Sequence, residues 1–507
     1  MKSTDREELM ARFEKTIDFV ESCHEHRKPL HEIEKGIFEH LLGLGKMLLG
    51  LLFALYGDGD QGEQLKLDNG RELRRLKAPH KREYFSIFGV FELFRAAYGT
   101  REKQKIEWVP LDAQLSLPES KFSYLLQEWD QELAVNEPYA KVNDVIRKIF
   151  GFDQSVNSLE RINRKMSESV AAYWEQQSSP ATEEEGALMV IQADGKGVVI
   201  RSESGAGEPA EGKPSKRIKK QEGKEKNGKK KMALVGAAYT IDPYVRTPQA
   251  ILDALFRKPR PAEKSATEPR PKPVAKHVRA SLSRDARGTM ELSYKEIYDW
   301  LRREVTLRDP ESAKPLVCVM DGQAKLWDTL ELHFPEVELI PILDIIHVTS
   351  YVWDAAHLFC DKGSSQAAGF AKERILRLLK GEVDGVIRGL RWMGTYEKLP
   401  KKQKEELEKI CGYFENNRHR MAYDKYLAEG YPIASGVIEG ACRNVIVDRM
   451  EHSGMRWVVN GAHSMLQLRC VKLSGSWDDF MQFRFRSECE RLYSGYAAND
   501  GTFVKVA

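Results

Sequence analysis

Apolar positions recur three and four residues apart over the first 56 residues (Leu9, Phe13, Ile17, Val20), which predicts helix throughout. Residues 41–56 are the most apolar stretch, but Lys46 and several glycines interrupt it. The unbroken part, 47–56, is too short to span a bilayer, so a buried or dimer-forming helix is expected. The run YFSIFGVFELFRAAY (84–98), aromatic around Gly89, predicts a β-hairpin or two short strands. In 138–167 a helix over 141–150 stops at Gly151, and Ser155 is placed to cap a second helix over 156–166. That second helix carries Arg161, Arg164 and Lys165. The spacing is that of a helix-turn-helix, whose second helix can enter a major groove, although such pairs are also common without DNA.

Past a polar linker at 178–186 the period changes. The runs 187–191 and 231–240 predict buried strands, the first leading to Asp194. A helix over 292–304 follows, then strands over 315–320 and 337–343 that end at Asp321 and Asp344. Residues 257–279, with five prolines and eight basic residues, read as an extended surface arm rather than a core element. From His347 to 427 the pattern is helical, with helices expected over 351–359, 371–379, 384–392 and 402–414. Another helix is expected over 435–450, with Ser435 as N-cap and Ile438, Ala441, Cys442, Val445 and Ile446 as its apolar stripe. A last one follows over 461–473. The fold class implied is mixed α+β.

Composition narrows this further. At 507 residues, with 42% apolar and 31% charged, the chain is expected to be soluble and to divide into several domains. The net charge of +3 hides an asymmetry: residues 213–231 carry ten basic and two acidic groups, which leaves the remainder at −5. Such a run suits an anionic partner touched at one place, or a solvated loop. Seven scattered cysteines without a CxxC pair argue against a zinc ribbon or a disulfide framework and suit a reducing cytosol. The N-terminal stretch MKSTDREELMARFEK does not read as a signal peptide.

The candidate chemistry lies in the carboxylates. Asp194, Asp321 and Asp344 each close an apolar run, and strand ends are where side chains of adjacent strands converge in α/β folds. Ionised carboxylates gathered there need compensation, which divalent cations supply through oxygen ligands. Two such aspartates and one acid from a later helix can hold two Mg²⁺ about 4 Å apart for phosphodiester displacement. Glu439 is the helical candidate. Taken alone it reads as half of a surface pair with Arg443, one turn on.

Four blocks carry a family resemblance: KKMALVGAAYTIDPYVRTP (230–248), VMDGQAKLW (319–327), DIIHVTSYVWDAA (344–356) and GYPIASGVIEGACRNVIVDRMEHSGMRW (430–457). Together with QADGKGV at Asp194, they resemble DDE transposases of bacterial insertion sequences, of the ISKra type and related to the Mutator-like group. The resemblance implies an RNase H-like core over 187–346 and 428–480, interrupted by an all-α insertion at 347–427. A helical region (1–75), a β/connector region (76–130) and the helix-turn-helix region (131–178) would precede the core, and a tail (481–507) would follow it.

The resemblance further implies that Asp194, Asp321 and Glu439 are the catalytic, metal-holding residues for two Mg²⁺, with Mn²⁺ able to substitute. Asp344 and His347 match an Asp-x-x-His pattern and would be auxiliary. The implied activity is cleavage at the element's ends and joining of the 3′-hydroxyls to target DNA. The partners would be double-stranded terminal repeats and target, with a homodimer or larger assembly on DNA and no membrane, in the bacterial cytoplasm near the nucleoid. Arg456 would touch DNA, while the neighbouring Trp457 is expected to pack the core. Where family members carry a cysteine-bearing zinc motif, the stretch after Tyr98 has no cysteine nearby. The alternatives are an inactive or domesticated DNA-binding regulator derived from a transposase, and a nuclease without strand transfer.

Overall fold

The computed structural model describes residues 3–67, 70–100, 106–178, 185–201, 230–257, 270–282, 290–452 and 455–494. They form two compact units, Met1–Tyr173 with Ser476–Ala507, and Trp174–Gly475. The chain is mixed α+β.

The first unit opens with α1 (Ser3–Glu25) and α2 (Leu30–Tyr56). They pack antiparallel: Phe19 lies where a Cβ at Gly36 would stand 2.1 Å from its ring, and Arg12 meets Gly43. Thr16 Oγ1 is 3.2 Å from His40 Nδ1. Of the two alternatives for the helix at 41–56, buried or dimer-forming, the buried one is corrected, since only Leu44 of α2 is buried. Helix α2 begins eleven residues earlier, because Pro29 starts it and Gly57 at φ 66° stops it. At 27 residues it is long and apolar enough to cross a membrane by length and composition.

Short strands β1 (Gln64–Lys66), β2 (Glu72–Arg75) and β5 (Tyr98–Gly99) form one small sheet, and β3 (His80–Ser86) pairs with β4 (Gly89–Arg95) as the expected hairpin. Helices α3 (Pro110–Gln114) and α4 (Tyr124–Ala134) lead to α5 (Tyr139–Phe150) and α6 (Val156–Ser167). The turn between the last two follows its sequence: Gly151 takes φ 75°, and Ser155 Oγ accepts from Ser158 N–H at 3.1 Å. Helix α6 buries Leu159, Ile162, Asn163 and Met166.

The second unit follows α7 (Val170–Gln176), which spans the boundary. Its elements are β6 (Leu188–Val199), β7 (Lys230–Ile241), α8 (Pro248–Leu255), β8 (Val274–Leu282), α9 (Met290–Arg308), β9 (Leu316–Met320), α10 (Ala324–His333) and β10 (Leu339–Leu343). Five helices follow: α11 (Ile345–Phe359), α12 (Ser365–Leu379), α13 (Val383–Tyr396), α14 (Lys401–Asn417) and α15 (Tyr423–Ala428). Then come α16 (Gly436–Cys442), a π-helical stretch Arg443–Val447, α17 (Asp448–Met450) and α18 (Val459–Leu473). The strand order is β10-β9-β6-β7-β8. β6, β7 and β8 form an antiparallel meander, while β9 and β10 run parallel to β6. The C-terminal ends of β6, β9 and β10 therefore share one edge.

Both faces of this sheet are covered. Val190, Val317, Val319 and Ile342 join a core with residues of α11–α15, including Ile375, Leu390 and Phe414. Ile191, Cys318 and Met320 on the other face pack with Tyr298, Trp300 and Trp327 of α9 and α10. Gly236 in β7 admits this close helix, since a Cβ there would stand 2.7 Å from Ile297. The helical block at 347–427 thus shares a continuous apolar core with the sheet.

Three further expectations change. Residues 274–279 of the expected surface arm belong to strand β8, which is held in the sheet by buried Val278, Ala280, Ser281 and Leu282; 258–269 lie outside the described residues, as do 213–229 of the basic run. Asp194 sits inside β6 rather than at its end, because the β6–β7 hairpin runs on past Ile191, the last residue paired with β9. The expected tail 481–507 holds most of α19 (Trp477–Tyr493), whose Trp477, Phe480 and Phe483 are buried.

Candidate metal centre

Asp344 follows β10 directly and caps α11, its Oδ1 accepting from Ile346 N–H at 3.0 Å. The same oxygen accepts from Ser435 N–H at 3.1 Å, while Oδ2 accepts from Ser435 Oγ–H at 2.7 Å and lies 2.9 Å from His347 Nδ1. Four contacts thus use up both oxygens of a carboxyl that is 0% exposed. Burial alone would raise its pKa, but the hydrogen bonds from His347, Ser435 and Ile346 outweigh burial and hold it below the ordinary value. An ionised Asp344 fixes the His347 proton on Nδ1 and leaves Nε2 as the nitrogen open to a ligand. The Asp344 hydrogen bond raises His347 to about 8 against opposing burial, with added negative charge from Asp321 and Asp194.

Ser435 was expected to cap its own helix. It holds the N-cap position of α16, but its hydroxyl makes no cap bond and donates to Asp344 instead. The start of α16 is tied to the sheet by Ile438 N–H donating to Gln192 Oε1 at 3.0 Å. Gln192 is fully buried on β6. This anchoring brings Glu439 to the site: ligand atoms of Asp344, His347 and Glu439 all lie within 4.8 Å of one another. Glu439 is exposed as a residue, so it stands at the mouth of the cluster. Its pKa is raised by partial burial and by the charges of Asp344 and Asp194, with His347 opposing. The simpler alternative, a Glu439–Arg443 pair, is not formed, because Arg443 reaches Asp448 at 3.7 Å.

Asp321 follows β9 and accepts from Gln323 N–H at 3.0 Å. Burial raises its pKa, the Gln323 hydrogen bond opposes, and the negative charge of Asp194 adds to the rise. Asp194 Oδ1 accepts from Gly195 N–H at 2.7 Å, and its negative charge adds to burial in raising the pKa of the Cys442 thiol. The five acid and imidazole groups singled out from the sequence are therefore gathered at one sheet edge. The tightest set is Asp344–His347–Glu439, with Asp194 and Asp321 in electrostatic reach.

Four contributors were not foreseen: Ser435 as a donor to Asp344, Gln192, Cys442 and Tyr294. Tyr294 is 5% exposed, accepts from Gln323 Nε2 at 3.2 Å and lies under Lys325 Nζ at 4.8 Å. None has a motif of its own; each acts through a contact distant in sequence. Gly322 is explained by crowding, since a Cβ there would stand 2.3 Å from Tyr413, whose ring stacks on Tyr351 at 3.9 Å.

In the first unit, Arg161 is exposed, while Arg164 pairs with Glu160 at 3.2 Å and Lys165 with Glu168 at 2.8 Å. In the second, Arg456 is exposed and its carbonyl accepts from Arg201 Nε–H at 3.1 Å. Trp457 is buried, donating from Nε1 to Met450 O at 3.0 Å. Comparison of the chain with known protein families and with curated proteins finds no match.

Proposed function

We propose that the chain is a metal-dependent DNA transposase of the DDE type, with an RNase H-like catalytic core. The observation that carries this reading is the gathering of Asp194, Asp321 and Asp344 from three neighbouring strands beside Glu439 from a helix. A meander followed by two parallel strands, in the order β10-β9-β6-β7-β8, supports the core assignment. The quoted sequence blocks support the family.

The donor chemistry fits divalent cations. Burial and mutual repulsion raise the pKa of Asp321 and Glu439, His347 compensates them only in part, and Mg²⁺ and Mn²⁺ take carboxylate oxygens. Asp194, Asp321 and Glu439 are the residues that would hold them. Asp344 has both oxygens engaged, so its part is to orient His347 and to tie residue 435 beneath Glu439. Bound there, two ions would supply Lewis acidity and charge neutralisation for in-line displacement, first by water at the element's ends and then by the freed 3′-hydroxyl at the target. Helices α5 and α6 would read terminal repeats through Arg161, with Arg164, Lys165 and Arg456 adding salt-sensitive backbone contacts. Joining two ends calls for at least a dimer on DNA, and the bacterial cytoplasm is the matching compartment.

Strand transfer with the DNA flanking the coding region as donor tests this. Wild type with Mg²⁺ is expected to cleave and join, and Asp321→Asn or Glu439→Gln to lose at least about 100-fold. Equal transfer by the variants sinks the site assignment. Cleavage of donor DNA with no joining of pre-cleaved ends would favour a nuclease, and binding without either step a DNA-binding regulator.

A further inference from the structure

The α1–α2 hairpin of the first unit leaves two apolar stripes open. On α1, Met10, Phe13, Ile17 and Val20 follow three–four–three spacing. On α2, Phe38, Leu41, Leu48, Leu52 and Leu55 continue such a spacing, with Gly45 at the position between Leu41 and Leu48. All nine are between 41% and 58% exposed. Both stripes are therefore heptad seams of the kind that packs against another helix. They are not the seam that joins α1 to α2, which runs through Arg12, Thr16 and Phe19 against Gly36, His40 and Gly43.

On α1 the open stripe lies one residue further along than the joining seam, a turn of about 100° at 3.6 residues per turn, whereas on α2 it lies one residue on from His40 but two on from Gly36 and Gly43, a turn of about 100–200°. The helices run antiparallel, so these turns tip both stripes toward the same side of the hairpin, with the stripe of α2 facing further away from α1. The β3–β4 hairpin packs on another side of α2 through Phe91 on Phe53, and its Phe88 reaches the border of the open stripe at Gly45. The result is a two-helix apolar face that, among the described residues, is covered only at its border by Phe88.

The geometry points to a second copy of this chain as the cover, with two hairpins packing face to face about a two-fold axis into a four-helix bundle. Heptad spacing on both helices selects a helical partner, and a two-stripe face is complementary to itself under two-fold rotation. Nine side chains with roughly 100 Å² open apiece offer on the order of 900 Å² per copy, against about 800 Å² per partner in a standard stable interface. A membrane surface is the poorer match. Interfacial helices carry Lys and Arg beside the apolar stripe, whereas α1 exposes Glu7, Glu8, Glu14, Asp18 and Glu21 against Arg6 and Lys15. The dimer forms without DNA and does not depend on the metal-centre reading.

Sedimentation velocity of the full chain over a dilution series tests it. Wild type is expected at twice the 58.0 kDa chain mass, and Phe13→Lys with Leu48→Lys at the single mass, with dissociation about 100-fold or more easier and the circular dichroism unchanged. Should that variant misfold, hydrogen exchange of wild type decides: amides of α1 and α2 are expected to gain protection with concentration. A chain that is monomeric throughout, or a folded double variant that dimerises as wild type does, overturns the inference. So does a monomer that floats with phosphatidylcholine–phosphatidylglycerol vesicles, which would assign the face to a membrane.

Discussion

Asp344 and Asp130 are both fully buried carboxyls, and their surroundings push them in opposite directions. Asp344 has four donors and stays ionised. Asp130, on α4, has neither oxygen hydrogen-bonded, and burial raises it to about 7. The Gln154 amide beside it offsets this only in part. The folded-state pKa is above the unfolded value, so the folded chain keeps a proton that the unfolded chain has lost. Stability contributed by neutral Asp130 is full below pH 3.8 and falls as pH rises to about 7. Over roughly three units the loss is on the order of 4 kcal/mol. Urea unfolding of Asp130→Asn should match wild type at pH 4 and be markedly more stable at pH 8; equal stability at both would contradict this. Ser435→Ala strips one donor from buried Asp344 and is expected to cost about 1–3 kcal/mol in the same assay. Asp344→Asn removes the negative charge whose hydrogen bond raises His347 to about 8, so an NMR titration should find that imidazole titrating lower than in wild type.

At the scale of elements, long periodic helices and apolar strands were legible from the sequence, as was the turn between α5 and α6, because each depends on local spacing and caps. Strand β8 was hidden by a proline-rich approach, since proline density says nothing of where the chain rejoins a sheet. Asp194 was recognisable as an acid on a central strand, but its place inside β6 depends on pairing with β7 across a long, mostly polar connection. Ser435 holds the N-cap position that its spacing before an apolar stripe indicates, but only the fold brings Asp344 close enough to take its hydroxyl in place of a cap bond. Gly322, immediately after Asp321, tests how tightly α14 closes on the site. Gly322→Ala would force Tyr413 to move and is expected to cost roughly 1–3 kcal/mol in thermal or urea unfolding. A neutral substitution would show that the Tyr351–Tyr413 stack yields freely.

At the scale of the whole molecule, each unit has its own task in this reading: the second gathers the acids, and the first carries the candidate groove-reading helix and the open hairpin face. Within the second unit the helical block at 347–427 is built into the sheet core, so the site edge and its helical wall fold together. Metal binding should therefore stabilise that unit as a whole. The most direct test of the central claim is a Mn²⁺ titration of the full chain followed by electron paramagnetic resonance, beside Asp321→Asn and Glu439→Gln. Wild type is expected to take up Mn²⁺ in competition with Mg²⁺, and each variant to bind at least about tenfold more weakly. Wild type that binds no Mn²⁺, or variants that bind it as tightly as wild type, would contradict the assignment of these acids to a metal centre.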